Sequence, residues 1–477
     1  MPARRVPRPW SASPRSIGLL LLAAALLGAA PAAPPRDLAL QLARAYRALP
    51  AEAHAGVLVL DRNGRTVFTR DADKLFLPAS TAKCFVAAAV LDLGNPDFTL
   101  DTALALTAPI EKDGVVHGDL VLLSSGDPLL TTPDLSRMVD ELYAAGVRSI
   151  EGEVEYSPQW PQSLQQPYGW SWEDLNTRSG APRDVVCLDH NVVTLTFTPA
   201  AVGEEARLTF EPPVAQNSYG IINHVRTVSD TSAQEELQVV RWQDGDDRSF
   251  EVTGALRKGT SPVRLTVPVF GGLEYCAEVF EELMAERGID ISDSTLGGQP
   301  SGLSVRHAGP SLRALVHQML KESDNLIAEQ LALFVAGVGY PLPATRGVHL
   351  ADASGLSRYD LVSPRALVRL LTDAREQPWF PDFRDSLPVA GVDGTLAARF
   401  TDGPARGRVL AKTGSMSGVS TLAGYVLDDR GEVAYTFAIL VNNYTEDAAE
   451  VRAAMDALVS VLAERVLQST SPPAPLR

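Results

Sequence analysis

Apolar and polar positions fall into two textures along the chain. "DLALQLARAYRAL" (Asp37 to Leu49) repeats apolar residues at helical spacing, which predicts a helix. "AGVLVLDRNGRTVFTR" alternates on either side of Asn63-Gly64, a hairpin signal. "LPASTAKCFVAAAV" (Leu77 to Val90) opens on a proline-alanine turn and predicts a buried helix from near Ser80 to about Leu93. From about Asn95 to Pro268 the texture changes. Short strand-like runs recur between turn residues: "GDLVLLSSGDP", "IEGEVEYSP", "NVVTLTFTP", "ARLTFEPP", "LQVVRW" and "VRLTVPV", with one helix-like segment, "PDLSRMVDELYAAGV". Helical texture returns in "LEYCAEVFEELMAERG", in "SLRALVHQMLKESDNLIAEQLALFVAG" and in "SPRALVRLLTDARE". "RVLAKTGSMSGVSTLAGYVLDDRGEVAYTFAILVNN" reads as several strands, turning at Asp429-Arg430-Gly431. "DAAEVRAAMDALVSVLAERVL" reads as an amphipathic closing helix before a polar tail.

This order of elements predicts a mixed α/β (α+β) chain. The 477 residues are too many for one compact core, so two or three domains are expected. The first hairpin lacks partners, and so do the last strands. The simplest solution joins them into one domain interrupted by the strand-rich block.

Composition narrows the function. A formal net charge of -16 argues against a nucleic-acid partner, which would need a basic stripe. The chain begins with an arginine-rich stretch free of acids. An apolar run, "SIGLLLLAAALLGAA", and small residues follow, which is the pattern of an export signal over residues 1–33. That run is shorter than the roughly 20 residues a spanning helix needs, although an uncleaved anchor is the alternative. Arg4-Arg5 hints at twin-arginine export. The expected location is periplasmic or cell-envelope, with peripheral membrane contact left open. Cys84, Cys187 and Cys276 are too few for a disulfide framework and read as buried thiols. The seven histidines show no ligand spacing, so no metal site is expected.

The candidate chemistry begins at Ser80. A serine needs a base within hydrogen-bonding reach to act as a nucleophile. Lys83 lies one helical turn on, among Ala82, Cys84, Phe85 and Val86, where lost solvation favours the neutral amine. The helix N-terminus would supply N–H groups to a developing oxyanion. Alone, S-x-x-K occurs about once by chance in a chain this long. On this stretch alone a capping serine and a snorkelling lysine are the better explanation. Two further stretches change the weighing: Ser323-Asp324-Asn325 in an apolar helical run, and Lys412-Thr413-Gly414-Ser415 at the end of a strand.

S-x-x-K, S-D-N and K-T-G in this order resemble the motif set of penicillin-binding proteins and class A β-lactamases. That resemblance implies acyl transfer. Ser80 attacks a carbonyl and Lys83 takes its proton. Ser323 relays a proton to the leaving amine, and Asn325 holds Lys83 and a substrate amide. Lys412 offers a cation to a substrate carboxylate, helped by the Thr413 and Ser415 hydroxyls. Gly414 leaves room for a peptide along the strand edge. The N–H groups of Ser80 and Ser415 form the candidate oxyanion hole.

The wider chain resembles the D-alanyl-D-alanine carboxypeptidase/endopeptidases of class C low-molecular-mass penicillin-binding proteins, peptidase family S13. "HGDLVLLSSGDPLL", "GWSWEDLNTRSGAPRDVVCLDHN", "DASGLSRYDLVSP", "SLPVAGVDGTLAARF" and Glu329 in "SDNLIAEQL" carry the likeness. It implies a serine β-lactamase/transpeptidase-like domain over residues 34–95 and 267–468. An insertion over residues 96–266 would form two small domains, and a disordered tail would cover 469–477. It also implies cleavage of D-Ala-D-Ala termini and D-Ala-meso-diaminopimelate crosslinks in peptidoglycan peptides, with β-lactams as covalent inhibitors and no cofactor. The alternatives are a serine β-lactamase and a non-catalytic peptidoglycan-binding sensor. The first lacks the E-x-x-L-N stretch expected between Asn325 and Lys412, and the second would be expected to have lost a motif.

Overall fold

The computed structural model describes residues 36–158, 166–231, 233, 235–241, 248–292, 296–340, 342 and 345–470. The expected export signal lies outside these residues. So does the tail beyond residue 470; residues 469 and 470, expected in that tail, belong to the last helix. No helix among the described residues is long and apolar enough to cross a membrane.

A five-stranded antiparallel sheet brings the two ends of the chain together. Its strand order is Val409–Met416, Val419–Leu427, Val433–Asn442, His54–Asp61, Thr66–Arg70. Val57 lies opposite Ile439 and Leu58 opposite Ala438. Successive residues face opposite sides of a sheet. Val57, Val59, Phe437 and Ile439 therefore join Leu42, Met455 and Leu458 from the first and last helices, Arg36–Tyr46 and Ala448–Thr470. Leu58, Ala438 and Leu440 join Val86, Leu315, Ile327 and Leu367 from four helices on the other face. Both faces are dry, so these strands read as near-continuous apolar runs. The Asn63-Gly64 hairpin forms as expected, with Gly64 left-handed and the Asp61 carboxylate accepting from the N–H groups of Asn63 and Arg65.

The four helices are Lys83–Asp92, Leu312–Glu322, Asn325–Gly337 and Pro364–Ala374. The continuous helical texture expected around Ser323 is in fact two helices. Ser323 ends the first in the left-handed region, at φ 65°, and Asp324 caps the second by accepting from Ile327 N at 3.0 Å.

The strands between Asp92 and Leu312 build sheets of their own around a separate apolar core. Leu120–Ser124 pairs with Thr102–Leu106 and Val154–Pro158. Val192–Thr198 sits between Val263–Pro268 and Arg207–Glu211. Ser249–Arg257 sits between Gly220–Val228 and Glu235–Arg241. The helix Gly272–Arg287 gives Tyr275, Val279 and Phe280 to this core, and Ser304–His307 pairs with Thr102–Leu106. Packing of the block thus reaches past residue 266 to His307.

Phe437 is wholly buried between the first and last helices, whereas Leu40 is 60% exposed. Phe437→Ala is expected to cost about 3–5 kcal/mol in a denaturant titration, and Leu40→Ala no more than about 0.5 kcal/mol.

Candidate functional site

The turn bearing Ser80 is tighter than the sequence suggested. A 3₁₀ turn, Ala79–Ala82, comes first, and the α-helix starts at Lys83. Ala79 holds a left-handed φ of 45°, and the Lys83 N–H returns to Ser80 O. Thr81 Oγ1 and Thr421 Oγ1 both donate to Pro78 O, at 2.6 and 2.8 Å, and pin the turn to the sheet. Ser80 caps nothing: Pro78 stands at the cap position, with no side-chain hydrogen bond there.

Lys83 does not snorkel either. Its side chain is wholly buried. Nζ donates to Ser80 Oγ at 2.9 Å, Asn325 Oδ1 at 2.7 Å and Ser354 O at 2.6 Å. An ammonium has three N–H bonds, and here each has an acceptor. Burial pulls the Lys83 pKa down to about 8, against the opposing pull of Asp352, Asp324 and Glu329. On losing a proton the amine keeps its bonds to the amide and carbonyl oxygens, which can only accept. Its lone pair then faces the one partner that can donate, the Ser80 hydroxyl.

The second and third motifs converge on the same place. Lys412 Nζ donates to Ser323 Oγ at 2.8 Å and to Thr413 O at 2.9 Å. Lys412 is as buried as Lys83, and burial, reinforced by the charge of Lys83, puts its pKa well below the usual lysine range. Its ammonium lies behind Ser323, while Ser80, Ser323, Asn325, Thr413 and Ser415 line a cleft of about 890 Å³. Arg358, Arg399 and Arg452 are the lysine- or arginine-type cations on that lining. Thr413 Oγ1 donates to Thr395 Oγ1 at 2.7 Å.

Gly414 is needed for a reason other than peptide room. A Cβ there would stand 2.2 Å from Thr421 Oγ1 and 2.9 Å from both Ala79 Cβ and Pro78 O. The strand presses on the Ser80 turn itself. Gly355, at φ 82°, presses from the other side: its Cβ would come within 1.9 Å of Ala79 O.

Several residues that sequence reading left without a role complete the site. Ser354 supplies the third acceptor for Lys83. Its loop is fixed by Glu329, whose Oε1 accepts from Ala353 N and Ser354 N at 2.9 and 2.8 Å. Asp352 accepts from Gly355 N, Ser357 N and Trp170 Nε1. The only local signal was the S-G-L-S segment itself; a backbone carbonyl has no residue-type signature. Cys84 adjoins Lys83 but is buried, and burial pushes its thiol up to about 12, which makes it inert packing.

The sequence model of the D-Ala-D-Ala carboxypeptidase 3 (S13) family matches residues 38–465. The chain belongs to that family. As an S13 chain it is 32% identical over 448 residues to the D-alanyl-D-alanine carboxypeptidase of Actinomadura sp. (strain R39), covering 86% of this chain and 81% of the relative. The crystal structure of penicillin-binding protein 4 (dacB) from Haemophilus influenzae superposes with a TM-score of 0.74 at 26% identity, over 89% of this chain and 98% of the other. A second structure of that protein, complexed with a novel β-lactam, gives a TM-score of 0.70 at 26% identity, over 89% and 99% of the two chains. The mixed α/β architecture is thus that of a penicillin-binding protein.

Gly414→Ala must push the Ser80 turn and the strand apart. Labelling by a fluorescent penicillin is expected to slow at least about tenfold, against a stability loss of about 1–3 kcal/mol by thermal melt. Unchanged labelling would refute the contact's importance.

Proposed function

We propose that this S13 chain is a serine D,D-peptidase that hydrolyses D-Ala-D-Ala termini and D-Ala-meso-diaminopimelate crosslinks of peptidoglycan through an acyl-enzyme on Ser80. One observation carries the reading: a wholly buried lysine amine, 2.9 Å from a cleft-lining serine hydroxyl, whose other two partners can only accept.

Neutral Lys83 accepts the Ser80 proton as Oγ attacks the penultimate D-Ala carbonyl carbon. The oxyanion is received by the N–H groups of Ser80 and Ser415. Ser323, hydrogen-bonded to Lys412, passes a proton to the departing amine as the C–N bond breaks. The proton on Lys83 is then lost to the open cleft while one is restored to Ser323 and Lys412; a water attacks the ester, neutral Lys83 taking its proton and returning it to Ser80 Oγ as the ester C–O bond breaks. The Thr413 and Ser415 hydroxyls suit the terminal carboxylate, and Asn325, held by Lys83, suits the substrate amide.

The names of the Actinomadura relative and of the Haemophilus structures support this substrate class and inhibition by β-lactams, which would acylate the same serine. A peptidoglycan substrate in turn calls for an exported, envelope-facing enzyme, in keeping with the leader-like N-terminus. We also read the chain as one catalytic domain built from its two ends, with the residue 96–266 region inserted into it.

Ser80→Ala is expected to abolish release of D-alanine from a tripeptide ending in D-Ala-D-Ala, and of monomers from crosslinked muropeptides. Equal activity in both proteins would remove Ser80 as nucleophile. The pH dependence follows from Lys83. Below about pH 8 it holds its proton and cannot accept another. Penicillin acylation should therefore rise about tenfold per pH unit toward 8 and level off above it. A flat profile from about pH 6 to 9 would exclude Lys83 as base.

A further inference from the structure

The strand-rich block reaches back to the S-D-N turn. Asn325 Nδ2 donates to Ser179 O at 2.9 Å, Gln330 Nε2 donates to Asp184 O at 2.8 Å, and Arg183 pairs with Glu329 at 3.1 Å. His190 Nε2 lies 2.9 Å from Asp324 Oδ2 and 3.1 Å from Oδ1. All four partners stand at the cap or in the opening turns of the helix Asn325–Gly337. The histidine is itself rigidly placed. Its backbone is left-handed, at φ 62°, and the next residue, Asn191, ties it down by accepting from Leu188 N and donating to Pro182 O.

We propose that His190 is a positioning residue for acylation: by holding the Asp324 carboxylate it fixes the Ser323–Asn325 turn on which both buried lysines depend. The inference rests on the acyl-transfer reading above and adds a working part to it. Asp324 sits between the hydroxyl that meets Lys412 and the amide that meets Lys83. Its side chain is 7% exposed and that of His190 11%, so little water is at hand to replace the contact. Ser323 is held in a left-handed conformation that non-glycine residues rarely adopt, so the turn keeps it only while its neighbours are anchored. Arg178, 3.8 Å from Asp324 and half-exposed, is a weaker second anchor. The block is therefore part of the acylation machinery, not a passive appendage.

The test uses the full chain and a fluorescent penicillin, with the acylation rate followed against pH and the melting temperature read for each variant. His190→Ala is expected to slow acylation about tenfold or more. It should also move the acid limb to lower pH, because the Lys83 ammonium loses the firm Asn325 acceptor that favours its charged form. His190→Gln keeps a donor near the Nε2 position and should return both the rate, to within about threefold, and the limb. Should His190→Ala fail to fold, His190→Leu removes the hydrogen bond while keeping the volume. Acylation of His190→Ala or His190→Leu within about twofold of wild type would overturn the proposal. So would equal slowing in the apolar and Gln variants with the acid limb unmoved, which marks mere packing. A wild-type chain that penicillin never acylates would overturn the Ser80 reading and this one together, whereas normal acylation of the His190 variants overturns this one alone.

Discussion

An ammonium buried away from bulk solvent is the constraint around which the rest of the site is arranged. Removing such an ion from solvent costs several kcal/mol unless its donors are satisfied. Lys83 meets that demand with three oxygens from three parts of the chain. Ser80 comes from its own 3₁₀ turn. Asn325 comes from the helix that restarts after Ser323. Ser354 comes from a loop pinned by Glu329 and Asp352. Each element has to be where it is for the lysine to be tolerable at all, so tertiary packing and site geometry are one problem. The same balance leaves the amine near neutrality, because full satisfaction of the ion is set against complete loss of bulk solvation.

The close contacts around Ser80 follow from this. Its turn is squeezed between the strand at Gly414 and the loop at Gly355, and neither position has space for a Cβ. Ala79 and Ser323, one beside Ser80 and one at the second motif, are both non-glycine residues in the left-handed region. Such backbone persists only where the surroundings over-determine it. Here those surroundings are the Pro78 carbonyl with its two threonine donors on one side, and the capped helix with Lys412 on the other. The strain therefore sits where geometry matters for chemistry.

Much of the fold was legible because its signals are local. The Asn63-Gly64 hairpin, the helix after Ser363-Pro364 and the last strands follow from turn residues and periodicity. Among the described strands of five or more residues, three escaped: Thr102–Leu106, Gly220–Val228 and Ser249–Arg257. In Gly220–Val228 polar residues interrupt the apolar pattern, and its parallel partner lies across an intervening strand, which no local window records. The two helices around Ser323 read as one because apolar spacing continues across the break. Ser-Asp-Asn was the sign that it stops, through a left-handed C-cap and an aspartate N-cap. At the site, residue types that meet within one turn were readable, as with Ser80 and Lys83. Contacts made by backbone carbonyls, at Ser354 and Ser179, were not. The place of Lys412 was also hidden, since sequence gives a lysine's charge and not the direction in which its amine is buried.

That last point bears on how protons can move. Lys83 and Lys412 are both stripped of solvent, and the charge of Lys83 disfavours one on Lys412. Two adjacent buried ammonium ions are costly, and the nearby carboxylates of Asp352, Asp324 and Glu329 offset the charge at Lys83. The pair is therefore easiest to hold with a single shared positive charge. The proposed acyl transfer asks for that economy: a proton leaves the Ser80 hydroxyl on one side while another reaches the leaving group on the other. Ser80 faces one amine and Ser323 the other, and both hydroxyls open on the cleft. A proton gained at Lys83 makes loss of one at Lys412, through Ser323, more favourable. The electrostatic repulsion that makes the arrangement expensive to fold would also couple the two halves of the proposed reaction.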